Sequence, residues 1–588
     1  MCNEPKTVRD VVLRNSGLSE EEFDDAFFNE SAHTNLPIKN LDEAAQLIIT
    51  EAWKGTPIRV IGDYDVDGVC GTSIIYLSVR ELSPNVSYRI PKRMSEGYGL
   101  KPNIIDEIDE GMIITVDNGI AAYEAIKKAK DKGLKVIVID HHLLGTNMMP
   151  PADVVVDPHV IKYNDDDFED YCGAGLAYRL ACKLIPGHPL LDKLLCYAAI
   201  ATIADSVPLK RENRFIVKNG LKNMVQKEKR TTGLGALLSV YSLQKYINEK
   251  DIAFRIAPAI NAPGRLYDDG AKTPVELFIN RGTFEECTEI ANYLYETNRL
   301  RIDMKDKFMA IAHDMINREM LMNSAPIVLA SEEFHEGLAG IIAGKITEEY
   351  HVPAIVLCLL EDGETYKGSG RSVEDVNLFE LVGKFKSKLR TFGGHKMACG
   401  LSVKKENLAD FIVSLEDEMS GYIPKGFGDA PYDLVIQGTD VDDVMNEVRK
   451  YEPYGEGNPE VVFKIENYRL SPKGSSVYET KGADDSTVLL HGMCSSAIGF
   501  FMTDDYMKEG QPKNLTIVGT IRDKYKVPLF KPSTSSYTPK KPTSSKRVGN
   551  KKEIERETQV EIMTMKKADM PLRKTSLAEM LSQMSQNR

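Results

Sequence analysis

VIVIDHHLLG, residues 136–145, carries four β-branched residues straight into Asp140, His141 and His142. β-branched side chains favour extended backbone, and a short unbroken apolar run reads as a strand buried on both faces. Such a strand delivers one carboxylate and two imidazoles to a single place. The layout recurs along the chain. PIRVIGDYD (57–65), GMIITVDNG (111–119) and ADVVVDPH (152–159) each run a short apolar segment into an acidic residue. Helical stretches such as GIAAYEAIKKAKDKG (119–133) lie between them. This alternation predicts an α/β fold, a parallel sheet covered by helices on both faces. Ligands of such sheets sit at the carboxyl ends of the strands, which is where the acids fall.

Bulk properties bound the rest. A chain of 588 residues, 42% hydrophobic and 27% charged, is long enough for several globular domains. The net charge of −13 excludes a uniformly basic nucleic-acid coat, while allowing a local basic groove and carboxylates gathered around metal ions. Nine cysteines, none in a C-x-x-C pair, argue against a disulfide framework or a thiolate zinc site and for a reducing cytoplasm. MCNEPKTVRD has no apolar signal region, and no apolar run is long enough to cross a bilayer.

Residues 1–56 read as a helical lead-in, with Ala44, Leu47, Ile48 and Ala52 at helical spacing. The parallel-sheet domain follows at 57–282. A long helix is expected over 283–322, with Ile290, Leu294, Phe308, Ile311 and Met315 as its apolar seam, joining the first lobe to a second α/β lobe at 323–428. Short strands with turns between them at 429–530 predict a small β-barrel, OB-like domain. Residues 531–588 are rich in Pro, Ser and Lys and are expected to be a disordered basic tail. Its end, SLAEMLSQM (576–584), starts with a capping box and predicts a short helix whose Leu577, Met580, Leu581 and Met584 stripe would dock on a replication or repair protein or DNA, the alternative being a frayed end with no role.

GDYDVDG (62–68) sets Asp63, Asp65 and Asp67 at alternate positions. Three acids this close raise one another's pKa unless cations neutralise them. An EF-hand loop is excluded: its twelfth position would be Ile74, which cannot ligate calcium. Asp117 ends the strand IITV, His141 follows VIVI, and Asp205 ends the apolar segment YAAIATIADSVPL (197–209). Any one of these could be a helix cap or a surface group. Jointly, oxygen and nitrogen donors without thiolate suit Mn²⁺ or Mg²⁺. The number of ligands fits two ions, about 4 Å apart, that activate a water for in-line attack on a phosphate. In the second lobe, GSGRS (368–372) and FGGHKMACG (392–400) offer glycines that let backbone N–H groups approach a phosphate. Ser372, Gly393 and Gly394 are therefore candidate substrate contacts, with Arg265, Arg371 and His395 adding charge or hydrogen bonds.

GDYDVDG, VDNG, IDHH and TIADSVPL, in this order, resemble the four motifs of the DHH phosphoesterase superfamily. EGYGL (96–100), INAPGRL (260–266), HEGLAGIIAG (335–344), GSGRS, FGGHKMACG and EPYGEGNP (452–459) resemble, within it, the RecJ single-strand-specific exonucleases. The resemblance implies that Asp65, Asp67, Asp117, His141 and Asp205 are metal ligands with Asp117 bridging, and that Asp63 is a further ligand or a supporting acid. It implies that Asp140 orients an imidazole and His142 faces the scissile phosphate. It implies a metal-dependent 5′→3′ exonuclease degrading single-stranded DNA to mononucleotides in repair or recombination. The second lobe would close a cleft too narrow for duplex. Tyr451, Tyr454, Phe463 and Tyr468, half of them expected in the core, are available with Lys464 and Arg469 in the β domain to extend the path by stacking and charge. A phosphodiesterase for short oligonucleotides or cyclic dinucleotides and a non-catalytic replication scaffold are the alternatives. Three positions depart from the pattern: Ile61 where some RecJ proteins have His, Ala259 where Arg is familiar, and Phe334 where Trp is usual.

Overall fold

The computed structural model describes residues 5–29, 34–97, 99–145, 148–422, 431–474, 476–481, 485–493, 495–500, 502–523 and 558–568. They divide into two compact units, one within 34–207 and 211–426, the other within 1–33, 208–210 and 427–588. Among the described residues no helix is long and apolar enough to cross a membrane.

The first unit holds two sheets. β1 (Ile58–Ile61), β2 (Val86–Arg89), β3 (Met112–Val116), β4 (Lys135–Ile139) and β5 (Val154–Val156) pair in the order β2-β1-β3-β4-β5, parallel throughout. The strand runs are apolar on both faces because both are covered. Ile114, Val116, Ile137 and Ile139 enter one core, with the helices Val66–Arg80 and Gly173–Leu184. Ile113, Val136 and Val138 enter another, with the helix Tyr123–Asp131. Strand order reverses between β1 and β3, so a crevice opens at their carboxyl ends.

The helix Phe284–Arg318 starts at a capping box on Thr283 and ends four residues before the expected Met322, where Met320 takes a left-handed conformation (φ 57°). Cys287, Ala291 and Leu294 are buried in the core of the first sheet, and Phe308, Ala312 and Ile316 in that of the second. One helix therefore joins the two lobes, as expected. The second sheet comprises β6 (Ile327–Ser331), β7 (Ala354–Leu359), β8 (Thr365–Arg371), β9 (Leu389–His395) and β10 (Ala398–Lys404), in the order β6-β7-β8-β10-β9. Only β6 and β7 are parallel. GSGRS and the glycines of FGGHKMACG lie mostly in these strands.

The other unit is a seven-stranded sheet: β11 (Leu434–Gln437), β12 (Val462–Arg469), β13 (Tyr478–Lys481), β14 (Thr487–His491), β15 (Ser496–Gly499), β16 (Asn514–Asp523) and β17 (Thr558–Lys567), in the order β11-β12-β16-β17-β15-β14-β13. A bridge between Leu470 and Gly492 joins the ends of β12 and β14, so the sheet curls on itself. Two expectations change. β17 falls in the stretch expected to be disordered; TQVEIMTMKK alternates, its Val560 and Ile562 fill the core, and it is hydrogen-bonded to β16 and β15. The lead-in also splits: Val11, Val12, Phe23 and Phe27 from the helices Val8–Ser16 and Glu20–Phe28 belong to this unit's core beside Tyr451. The expected terminal helix at 576–584 lies outside the described residues, as does the segment 524–557.

Candidate metal centre

The acids gather at the β1/β3 crevice because each strand stops there. After β1 the chain turns into the helix Val66–Arg80, and Asp65 caps it, one carboxylate oxygen accepting from the N–H groups of Asp67 (3.0 Å) and Gly68 (3.1 Å). Gly68 is required by proximity, since a Cβ there would lie 2.4 Å from the Asp63 backbone. Asp67 is buried and accepts from the first N–H groups of the Gly173–Leu184 helix, Gly173 at 2.6 Å and Ala174 at 2.8 Å. Asp117, past the end of β3, is buried at φ 60°, a left-handed backbone unusual for a residue with a side chain.

Asp140, past β4, is the organiser of the DHH stretch. Its carboxylate accepts from the N–H of Ile120 (2.9 Å), His141 (2.8 Å) and His142 (3.2 Å), and bonds the His142 ring at Nδ1 (2.8 Å). His141 Nε2 points the other way, 3.2 Å from Asp117, 3.6 Å from Asp67 and 3.7 Å from Asp205. Asp205 itself is the C-cap of the helix Leu190–Ala204. All the acids and imidazoles expected to converge do so. Their donor atoms form three groups close enough for one ion each: Asp63, Asp65 and Asp117; Asp67, His141 and Asp205; Asp117, His141 and His142. Asp117 is common to two of these and His141 to two.

The electrostatics fit a cation. Burial pushes the Asp63 and Asp117 carboxyls well up and raises that of Asp67, and repulsion from neighbouring aspartates adds to it. Asp205 is pushed to about 8 by burial, then by Asp67 and Asp65. One Asp63 oxygen is buried with no hydrogen-bond partner. A divalent ion bound by these oxygens and nitrogens would supply the missing positive charge and occupy that orphaned oxygen. His142 differs: burial opposes its charge, but the bond and charge of Asp140 prevail and raise it to about 9. Asp140 stays below its ordinary range, burial being outweighed by His142 and the Ile120 N–H. Ile61, where a histidine ligand was a possibility, is fully buried in the apolar core on β1. Ala259 and Phe334 are core residues too, Phe334 packing edge-on to Phe308.

Cations face this acid cluster on the side where the second lobe meets the first. The Arg265 backbone abuts the start of the helix Glu336–Tyr350, where a Cβ on Gly337 would lie 1.9 Å from the Arg265 carbonyl. Burial, then the neighbouring Arg93 and Arg301, lower Arg265 to about 9, with Arg371 adding to the repulsion and Asp65 opposing it. Arg371 ends β8 in register with Ala398, which pairs with His395 across the next strand. Ser369, Gly400 and Gly393 align likewise two residues along, and no atom lies within 4 Å of a Cβ placed on Gly393 or Gly400. Arg371, His395 and Gly393 thus lie along one face of the sheet, open at Gly393 and Gly400, with the Arg371 side chain against Gly340 of the helix. Gly394 does not: its Cβ direction meets the hairpin's own Ala398 and Cys399. Ser372 is also placed differently from expectation, buried, its hydroxyl donating to Val376 and its N–H to Met397, where it braces a turn.

The sequence reading missed three groups. Arg93 stacks 4.6 Å over the Tyr64 ring inside GDYDVDG and acts electrostatically on Asp63; a lone basic residue in a loop gave no periodic signal. Asp157 and His159, in the DPH that follows β5, each bury an unpartnered ring or carboxylate atom, and burial, with repulsion from Asp140, raises Asp157 to about 8. Their signal was present, since β5 also ends on an acid. The aromatic path in the β unit is corrected: Tyr451, Tyr454, Phe463 and Tyr468 are all buried in its core, and Lys464 pairs with Glu466. EPYGEGNP packs on Pro208–Lys210, with the Leu209 N–H donating to Glu456 (2.7 Å).

Comparison with known proteins places this geometry. Residues 57–202 match the DHH family N-terminal domain and residues 323–421 the DHHA1 domain. The single-stranded-DNA-specific exonuclease RecJ of Haemophilus influenzae is 30% identical over 394 residues, covering 63% of this chain and 67% of that protein. The chain belongs to the RecJ family. RecJ of Bacillus subtilis is 35% identical over 444 residues, 73% of this chain but 54% of that protein, so the chain spans about half the length of this relative. The crystal structure of RecJ from Thermus thermophilus in complex with Mn²⁺ aligns at a TM-score of 0.72 and 25% identity, over 95% of this chain and 76% of that one.

Proposed function

We propose that this RecJ-family chain is a metal-dependent 5′→3′ exonuclease that hydrolyses single-stranded DNA to mononucleotides in repair or recombination. The observation that carries the reading is the meeting of Asp63, Asp65, Asp67, Asp117, His141 and Asp205 at one strand-order reversal, faced by Arg265 and Arg93, with Arg371 beside those two arginines. Asp63, Asp65 and Asp117 would hold one ion, and Asp67, His141 and Asp205 a second, while Asp117 and His141 also group with His142. Bound Mn²⁺ or Mg²⁺ supplies an activated water and neutralises phosphate charge. The chain's own residues do the positioning. Asp140 fixes the His142 ring and holds it protonated, so that it can donate to a phosphate oxygen. Arg371, His395 and the side-chain-free strip at Gly393 and Gly400 offer a second grip on the sugar–phosphate chain. The polarity rests on the resemblance of the sequence motifs to the RecJ exonucleases. The test is digestion of strands labelled at the 5′ or 3′ end, and of duplexes, with Mn²⁺, Mg²⁺ or chelator. Mononucleotides released from the 5′ end of single strands, only with metal, are expected. Dinucleotide-only cleavage, or no cleavage with either ion, would overturn the reading.

A further inference from the structure

Two adjoining cavities open on the first lobe, where the helices Leu190–Ala204, Thr232–Val240 and Phe284–Arg318 begin. The first has a volume of about 480 Å³ and the second about 400 Å³, and they share Lys193, Thr231 and Thr232. Both volumes fall in the range of small-ligand sites. Lys193, Lys227 and Arg230 line the first against a single carboxylate, Glu228. Among the described residues Lys193 and Lys227 form no ion pair, and half-buried Arg230 donates only to the Met224 carbonyl. The acid of the second cavity, Glu81, is already paired with Arg281 at 2.6 Å. Three cations at a concave surface against one carboxylate favour an anion, and the first turn of the Thr232–Val240 helix adds its positive end. The Phe284 ring, 46% exposed, is a flat apolar face on the wall of the same cavity. Phosphate-binding charge beside an unoccupied aromatic face fits a nucleotide better than a bare phosphate.

We propose that these cavities form a binding site for a nucleoside monophosphate, distinct from the metal centre, with the phosphate on Lys193 and Lys227 and the base against Phe284. The site is mechanically tied to that centre. Lys193 lies in the first turn of the helix whose C-cap is Asp205, roughly 18 Å away at 1.5 Å per residue. Tyr197 of the same helix bonds the Thr231 hydroxyl on the cavity wall. That the ligand would be the enzyme's own product rests on the proposed function; the binding does not.

Equilibrium dialysis of labelled dAMP against the full chain in chelator tests it. Saturable binding is expected, weakened about tenfold or more by Lys193→Ala with Lys227→Ala, while melting temperature and metal-dependent strand cleavage stay unchanged. Phe284→Ala should weaken dAMP while sparing competition by inorganic phosphate. Equal binding by the double variant, or no saturable binding by the wild type, would overturn the site. A single-stranded oligonucleotide that displaces dAMP, and whose own affinity falls in the double variant, would assign the cavities to strand backbone instead and overturn the mononucleotide. Should the wild type cleave nothing, the proposed function fails while the dialysis remains readable.

Discussion

Replacing Asp140 by Asn tests whether the DHH stretch works as the geometry says. The Asp140 carboxylate receives four bonds, three from backbone N–H groups at 2.8–3.2 Å and one from the His142 ring at 2.8 Å. An amide has one acceptor oxygen. If that oxygen keeps the His141 and His142 contacts, the new NH₂ confronts the Ile120 N–H, donor against donor. An unsatisfied buried donor costs about 1–3 kcal/mol, so the variant should be less stable by that order and still fold. The bond to His142 also changes from charge-assisted to neutral, losing about half its strength. Residues that orient a metal site's imidazoles contribute about 10–100-fold to activity. Asp140→Asn should therefore lower kcat on an end-labelled single strand with Mn²⁺ by that range, with the denaturation midpoint measured in parallel. A variant that shows the stability loss yet turns over like wild type would refute the orienting role.

Three further perturbations bear on the scaffold. Gly68→Ala forces a Cβ to within 2.4 Å of the Asp63 backbone; it should cost about 3 kcal/mol in urea unfolding and weaken Mn²⁺ binding, and wild-type stability would contradict the packing. Glu51 accepts from Lys135 (2.6 Å) and Lys54 (2.8 Å), and these bonds hold its pKa at about 2 against an ordinary 4.5. Its contribution is therefore present above pH 4.5 and lost as pH falls towards 2, so Glu51→Gln should cost about 1–2 kcal/mol at neutral pH, discounted for the exposed lysines, with the difference shrinking on acidification; a pH-independent difference would contradict it. Ile562→Ala, in the β17 core, should destabilise the β unit by about 2–5 kcal/mol in denaturant, whereas no change would mean that β17 is dispensable.

The residues that were legible in the sequence are those whose physics is local. β3 and β4 announced themselves as β-branched runs, and their terminal Asp117 and Asp140 followed from where such strands end. The long helix was visible in its apolar seam. What stayed hidden depended on partners distant in sequence. β17 alternates well enough to read as a strand, but it lies beyond a Pro-, Ser- and Lys-rich stretch and is held by β15 and β16. The glycines of GSGRS and FGGHKMACG gave no strand signal; their place in β8–β10 is set by close approach, as at Gly368, where a Cβ would lie 1.9 Å from the Val356 carbonyl. Tyr451 and Tyr468 could have stacked on bases or filled a core, and composition cannot choose between those roles; packing against Phe23 and the bond to Ser495 do.

The most direct measurement is a Mn²⁺ titration of the full chain by electron paramagnetic resonance, comparing the wild type with Asp117→Asn and Asp205→Asn. Asp117 shares donor groups with Asp63 and Asp65 on one side and with the two imidazoles on the other, whereas Asp205 groups only with Asp67 and His141. Two bound ions are predicted for the wild type, both weakened by Asp117→Asn and one by Asp205→Asn. Manganese binding untouched by either substitution would contradict the claim that these side chains form one metal centre.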